Sequence, residues 1–282
     1  MTDREMTQLK TISDINDWLV KKSQRYDYPS EKLKFIGIVE ERGRMIAAQM
    51  ITNMLECHGL SADIKNTDEL FHYSFGEENL SLLVDRYLNY LQKQVENKKD
   101  VIIFQIYTDF INVYPLLQTP FDIFIHTMPE PNGTNFQGEI VQKISLCKGF
   151  IDHLPKDCVI AVSMDDLICV DFLEVLKDRM VITYGLSSRA TVTASSIETE
   201  PFLKFHFCIQ RGITTNNGIE IEPMEFPAEL KLLGKWNVYD ILAAATGAMV
   251  LGVLPEEITS ALLGLRGHTA KTENEKNIYI SY

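Results

Sequence analysis

The sequence predicts an α/β fold: a mostly parallel sheet flanked by helices on both faces, with a small antiparallel β meander. Three observations carry this. Short, nearly unbroken apolar runs recur between residues 34 and 184, as expected of strands buried on both faces. Segments with apolar residues at helical spacing separate them, and such βαβ alternation builds a parallel sheet covered on both sides. From Thr191 the texture changes to alternating, β-rich segments of antiparallel character.

The elements follow in order. Residues 1–30 hold one helix, which Ser13 or Asp14 can cap and whose stripe is Ile15, Trp18 and Leu19. Tyr28-Pro29-Ser30 ends it. Lys34–Val39 reads as a strand, Arg44–His58 as a helix and Leu70–Phe75 as a strand. Asn79–Glu96 reads as a helix with Leu80, Leu83, Tyr87, Tyr90 and Leu91 on one face. Val101–Tyr107, Asp122–His126 and Cys158–Val162 read as buried strands, Gln137–His153 and Asp166–Lys177 as helices, and Arg179–Tyr184 as a further strand. Thr191–Glu198, Phe202–Gln210 and Ile213–Glu222 form the meander. Val238–Leu251 and Pro255–Leu263 are helices, and Gly267–Tyr282 is polar. The expected organisation is a helical lead-in over 1–30, one domain over 31–268 with the meander at 191–222 inside it, and a polar tail over 269–282.

Charge and cysteine usage exclude several classes. With 39 acidic and 27 basic residues the net charge is −12, against the basic surface that nucleic acid requires and against anionic membranes. The five cysteines, Cys57, Cys147, Cys158, Cys169 and Cys208, are odd in number and form no C-x-x-C pair. They read as buried thiols of a reducing cytoplasm rather than a disulfide framework or zinc site. The polar N-terminus has no signal-peptide h-region, and the longest apolar stretch, Ile241–Leu254, is too short to span a bilayer. A cytoplasmic protein without a membrane span is expected. The six histidines are scattered without zinc spacing, and no serine sits in a nucleophile elbow.

One stretch carries chemistry. An apolar run ending at Val39, a polar turn and an apolar-rich helix from Arg44 give the strand–loop–helix layout that holds a nucleotide's phosphates. Yet Glu40 and Glu41 stand where a polyphosphate would lie, and like charges ~4 Å apart repel by roughly 4 kcal/mol at an effective dielectric of 20. Met45 stands where a hydroxyl would hold magnesium.

Four segments, in order and spacing, resemble the central domain of the Mur ligases, ATP-dependent amide ligases that add amino acids to the peptidoglycan precursor. They are Phe35–Ala47, Ser163-Met-Asp-Asp166, Val181-Ile-Thr-Tyr-Gly-Leu186 with the β meander after it, and Leu233–Ala245 with Leu251–Ile258. They look most like the UDP-N-acetylmuramoyl-tripeptide synthetase, and the resemblance spans residues 28–268. It implies a P-loop NTPase-like fold, here expected without the family's N-terminal UDP-binding and C-terminal domains.

Residue by residue, the resemblance implies a site with its working groups changed. The family loop Gly-Thr-Asn-Gly-Lys-Thr-Thr matches Glu40–Ile46, where only Gly43 persists. Arg44 keeps the lysine's charge on a different shape, and Met45 cannot ligate a hard cation. Gln105 stands where the family carries a magnesium-binding glutamate. Residues 125–131 match Thr-Asn-x-x-x-Asp-His, which sets His126 on the Asn and Pro131 on the His. Lys148 falls where several members carry a carbamylated, magnesium-binding lysine, although a lysine in such a segment is more often a solvated helix lysine. Asp165 and Asp166 match the Asn-x-Asp-Asp turn or cap the helix that follows. Asn237 matches an Asn near the adenine or caps its own helix, while Asp240 replaces a second Asn and Lys235 an Arg.

The implied vestigial nucleotide site is Gly43, Arg44, Asn237 and Asp240, the vestigial metal positions are Gln105 and Lys148, and Lys148 is the one catalytic candidate. These losses point to a catalytically degenerate binding or regulatory protein linked to peptidoglycan precursor metabolism. It would need no cofactor, and would bind a protein partner, a second copy or an anionic small molecule. The alternative is an ATP-dependent amide ligase subunit that uses ATP and magnesium with partner chains. A third reading keeps Arg42 and Arg44 as donors to a different anion.

Overall fold

A computed structural model describes residues 12–39, 46–70, 80–106, 118–127, 150–166, 173, 176–230 and 236–264. Among the described residues the main sheet has nine strands. Its parallel part comprises β1 (Lys34–Val39), β2 (Ala62–Asn66), β3 (Val101–Ile106), β4 (Ile123–His126), β5 (Val159–Ser163) and β6 (Val181–Tyr184). Its antiparallel part comprises β7 (Val192–Glu198), β8 (Leu203–Ile209) and β11 (Met224–Leu230). The order across the sheet is β11-β8-β7-β6-β5-β4-β1-β3-β2, and a single parallel pair, Tyr184 with Val192, joins the two parts. The strands β9 (Ile213–Thr214) and β10 (Glu220–Ile221) form a separate small hairpin.

Side-chain alternation along each strand divides the core in two. On one face Ile36, Ile38, Ile103, Ile125 and Ala161 pack with helix α2 (Ile46–Cys57), α5 (Trp236–Val250) and α6 (Pro255–Gly264). On the other, Phe35, Phe104, Phe124 and Ile160 pack with α1 (Ile12–Arg25) and α4 (Leu80–Glu96). The chain leaves β1 through α2 toward the β2 edge and returns through α4 to β3. Right-handed crossovers in opposite directions place their helices on opposite faces, as seen here. Helix α5 is apolar almost throughout and buried on every side, with Ile241 to Val250 sealed from solvent. It lies so close to the sheet that a Cβ on Gly247 would meet Ile125 Cδ1 at 2.6 Å.

Helix α1 docks through polar groups as well as its apolar stripe. Trp18 is buried, and the Lys22 ammonium, also buried, donates to the Ser81 carbonyl at 3.0 Å and pairs with Asp85. The helix includes Ser13 and Asp14 rather than starting after them.

Two strand assignments differ from expectation. The edge strand lies at Ala62–Asn66, not Leu70–Phe75. Leu70 ends a helical turn, α3 (Thr67–Leu70), and residues 71–75 lie outside the described residues. An edge strand needs no continuous apolar run, and Asp63 and Lys65 around Ile64 hide it from a hydrophobicity reading. The third strand of the antiparallel ladder is β11, beyond Glu222, whereas Ile213–Glu222 folds into the small hairpin. Pro227 masks β11 in the sequence, and an edge position tolerates it. Of the expected helix Gln137–His153 only residues 150–153 are described, and they are helical. Asp166 is in a bend rather than a helix. No helix among the described residues is long and apolar enough to cross a membrane.

Candidate functional site

The carboxyl ends of the parallel strands form one rim. From β1 the chain runs to β2 and β3 on one side, and β4 lies on the other. The β1–β4 junction is thus the topological switch point, where open α/β sheets bind their ligands. Residues near the ends of β1, β3, β4, β5 and β6 define the site.

Side-chain braces knit this rim together. Thr127, just past β4, donates both its N–H (3.1 Å) and its Oγ1 (2.7 Å) to the Val39 carbonyl at the end of β1. Tyr184, at the end of β6, reaches across β5 to donate to the His126 carbonyl at 2.7 Å. Thr67 in α3 donates to the Gln105 carbonyl of β3 at 3.0 Å. His126 Nδ1 lies 3.8 Å from Asp166 Oδ2, and both side chains are largely withdrawn from water, at 12% and 8% exposed.

Asp165 ties three segments. Its carboxylate accepts the backbone N–H groups of Leu186 and Ser187, the latter at 3.1 Å, and the Tyr239 hydroxyl of α5 at 3.2 Å. Gly185 makes this possible: at φ +144° it adopts a backbone conformation that side chains disfavour, and a Cβ there would meet Asp165 Oδ2 at 2.6 Å. Burial, then the neighbouring Asp165 charge and hydrogen bond, pushes the Tyr239 phenol up to about 12. Asp165 therefore serves as an anchor for the β6–β7 turn, and residues 167–172, where the helix it was expected to cap would begin, lie outside the described residues.

The described residues include only part of the sequence-derived set. Gln105 is buried near the end of β3, and Asp240 is buried on α5. Asn237 lies in the first turn of α5 rather than before it. Gly43, Arg44, Lys148, Lys235 and residues 128–131 lie outside the described residues. Sequence reasoning missed Thr127, Tyr184 and Tyr239. The Tyr-Gly pair at 184–185 carried a usable signal, a glycine at a strand end. Thr127 carried none, because its acceptor is 88 positions away.

The magnesium ion that the resemblance implies is a poor match for these residues. Magnesium takes oxygen ligands in near-octahedral array, one or two carboxylates among them. Gln105 offers a neutral amide, Asp165 is held by two backbone amides and a phenol, and Asp166 faces an imidazole. No group of three or more His, Cys, Asp or Glu side chains among the described residues is arranged to hold a metal.

Comparison with known proteins agrees with the fold and with the resemblance. No family model matches the chain. The UDP-N-acetylmuramoyl-L-alanyl-D-glutamate–2,6-diaminopimelate ligase of Chlamydia caviae is 24% identical over 221 residues, 78% of this chain and 43% of the ligase. A solved structure of a ligase with that name superposes with a TM-score of 0.65 at 13% identity, over 87% of this chain and 50% of that one. MurF from Acinetobacter baumannii superposes with a TM-score of 0.60 at 19% identity, over 88% and 50%. The fold is that of these solved ligase structures, a mostly parallel sheet between helical layers. The resemblance to the Mur ligases drawn from the motifs holds, and the chain spans about half the length of the relatives it matches.

Proposed function

We propose that this chain is a catalytically degenerate relative of the Mur ligases, a binding or regulatory protein of peptidoglycan precursor metabolism that works in the cytoplasm without ligase chemistry of its own. The observation that carries the reading is the braced rim. The hydroxyls of Thr127, Tyr184 and Tyr239 each donate to an acceptor within the protein. Phosphoryl-transfer sites work by aiming pre-placed donors and metal ions at the nucleotide. Gln105 in place of a carboxylate, Met45 in place of a hydroxyl and the paired Glu40–Glu41 support the same reading. The bound species would be a protein partner, a second copy or an anionic small molecule, and no nucleic acid at a net charge of −12. Calorimetric titration with Mg-ATP tests it. No saturable binding at micromolar affinity is expected; such binding, abolished by Arg44→Ala, would overturn the proposal.

A second reading is favoured by what persists: Asp165, Asp166 and Asn237 keep the family pattern. On this reading the chain is an ATP-dependent amide ligase subunit whose partner chains supply the remaining parts. ATP and magnesium would then bind, with Arg44 as phosphate cation and Lys148, if carbamylated, toward the metal. Release of ADP on mixing with candidate partners, amino acid and precursor would support it, and absence of ADP in every mixture would reject it.

A further inference from the structure

We infer that the sheet continues across its β2 edge into a second copy of this chain, the two β2 strands pairing antiparallel about Ile64. This pairing gives a surface to the second copy named among the proposed partners, and it is independent of whether ligase chemistry is retained.

Among the described residues β2 is the last strand on its side of the sheet. Val101 donates its N–H to the Ser61 carbonyl at 3.1 Å, and Ala62 is in register with Val101. In a parallel ladder alternate residues bond the neighbouring strand, so Asp63 and Lys65 turn their main chain to β3 while Ala62, Ile64 and Asn66 turn theirs outward. The Lys99 ammonium, which donates to the Ala62 carbonyl at 2.7 Å, agrees with that direction, and a carbonyl has a second lone pair for another donor. Antiparallel pairing about Ile64 makes Ile64 and Ile64 of the second copy a hydrogen-bonded pair, with Ala62 opposite Asn66 on either side. The side chains complement each other in this register. Tyr90 of α4 donates to Asp63 Oδ2 at 2.7 Å, which puts Asp63 on the α4 face, and alternation puts Lys65 there with it. Each Asp63 then stands opposite Lys65 of the second copy, two pairs of opposite charge. Parallel pairing in register would set like charge on like. Ile64, on the other face, packs against the core around α2, and the two copies of it meet at the axis. The other charged residues flanking this edge are Asp68, Glu69, Lys99 and Asp100. Glu69 pairs with Lys65 at 2.8 Å, and Asp100 accepts the Ser61 N–H. An ammonium has three donors, so Lys65 can serve Glu69 and the facing Asp63 together. A two-fold arrangement closes on itself and stops at two copies. The opposite edge of the sheet carries Pro227 in β11, whereas β2 has no proline.

Sedimentation velocity of the whole chain, from micromolar to submillimolar concentration, tests the pairing. The net charge of −12 opposes association of two copies, so physiological ionic strength is used, where charges more than ~8 Å apart are largely screened. A monomer–dimer equilibrium is expected, with the Ile64 amide hydrogen exchanging more slowly as the dimer fraction rises. Asp63→Lys or Lys65→Asp sets like charges opposite each other at both pairs, and each variant alone should dimerise at least ~10-fold more weakly. Mixed in equal amounts, the two variants regain opposite charge at both pairs and should form a heterodimer close to the wild type's strength. A wild type that stays monomeric, a dimer whose Ile64 amide exchanges as fast as the monomer's, or a mixture that associates no more tightly than its components would overturn the inference. Asp63→Lys gives up the Tyr90 hydrogen bond and can impair folding. Lys65→Asp gives up only an exposed pair, so its dimerisation then decides alone, and strength equal to the wild type's would overturn the inference. The Mg-ATP titration decides the functional reading independently of these arms.

Discussion

Asp122 shows how one residue can hold three parts of the molecule. It precedes β4, accepts the Phe35 N–H of β1 at 2.8 Å, and takes the Asn216 amide of the β9–β10 turn at 2.9 Å. Burial raises its pKa, and those two hydrogen bonds only partly offset the rise. The folded protein thus holds this proton to higher pH than the unfolded chain does. The group's stabilising contribution is complete below the unfolded value of ~3.9 and is lost as pH rises through the folded value. Asp122→Asn should flatten the fall in stability with rising pH in that window, read from urea denaturation at several pH values. An unchanged slope would show that the carboxyl is not shifted. Gly185 and Asp165 make the same point without titration, since a turn, a strand end and α5 meet at one carboxylate.

At the scale of elements, close approach matters more than polarity. Helix α5 rests on β4 through Gly247, with Ile125 Cδ1 and Ile51 Cδ1 at 2.6 and 3.4 Å from a Cβ placed there. Gly247→Val should overpack this contact and cost ~1–3 kcal/mol, measured by chemical denaturation. A neutral effect would mean that the helix shifts freely. The buried strands β1, β3, β4 and β5 and the helices α2, α4, α5 and α6 were legible in the sequence because each buries a continuous run or a helical stripe. Strand β2 was not, because it is a polar edge, and β11 was not, because Pro227 breaks its pattern. The site was legible as positions rather than as contacts. Gln105, Asp165 and Asp240 were named, but the Thr127–Val39 and Tyr184–His126 braces join residues 88 and 58 apart in sequence. Nothing in local spacing encodes such pairings.

At the scale of the whole molecule, the sheet ends among the described residues at β11 on one side, an edge that would pair with another strand if left open. Pro227 removes one N–H from this edge. Pro227→Thr should therefore increase self-association, read by analytical ultracentrifugation; no change in the distribution would assign the proline another role. A different consequence follows from α5. It packs against α2 and strands β4 to β7, yet it is assembled from residues 236–250. A ribosome adding about 5–20 residues per second has released most of the sheet before this helix emerges. For several seconds the stretch of this face under α5, Ile125 and Ala161 among it, lacks that helix, and the nascent chain presents an apolar sheet face to whatever chaperone or neighbour arrives first.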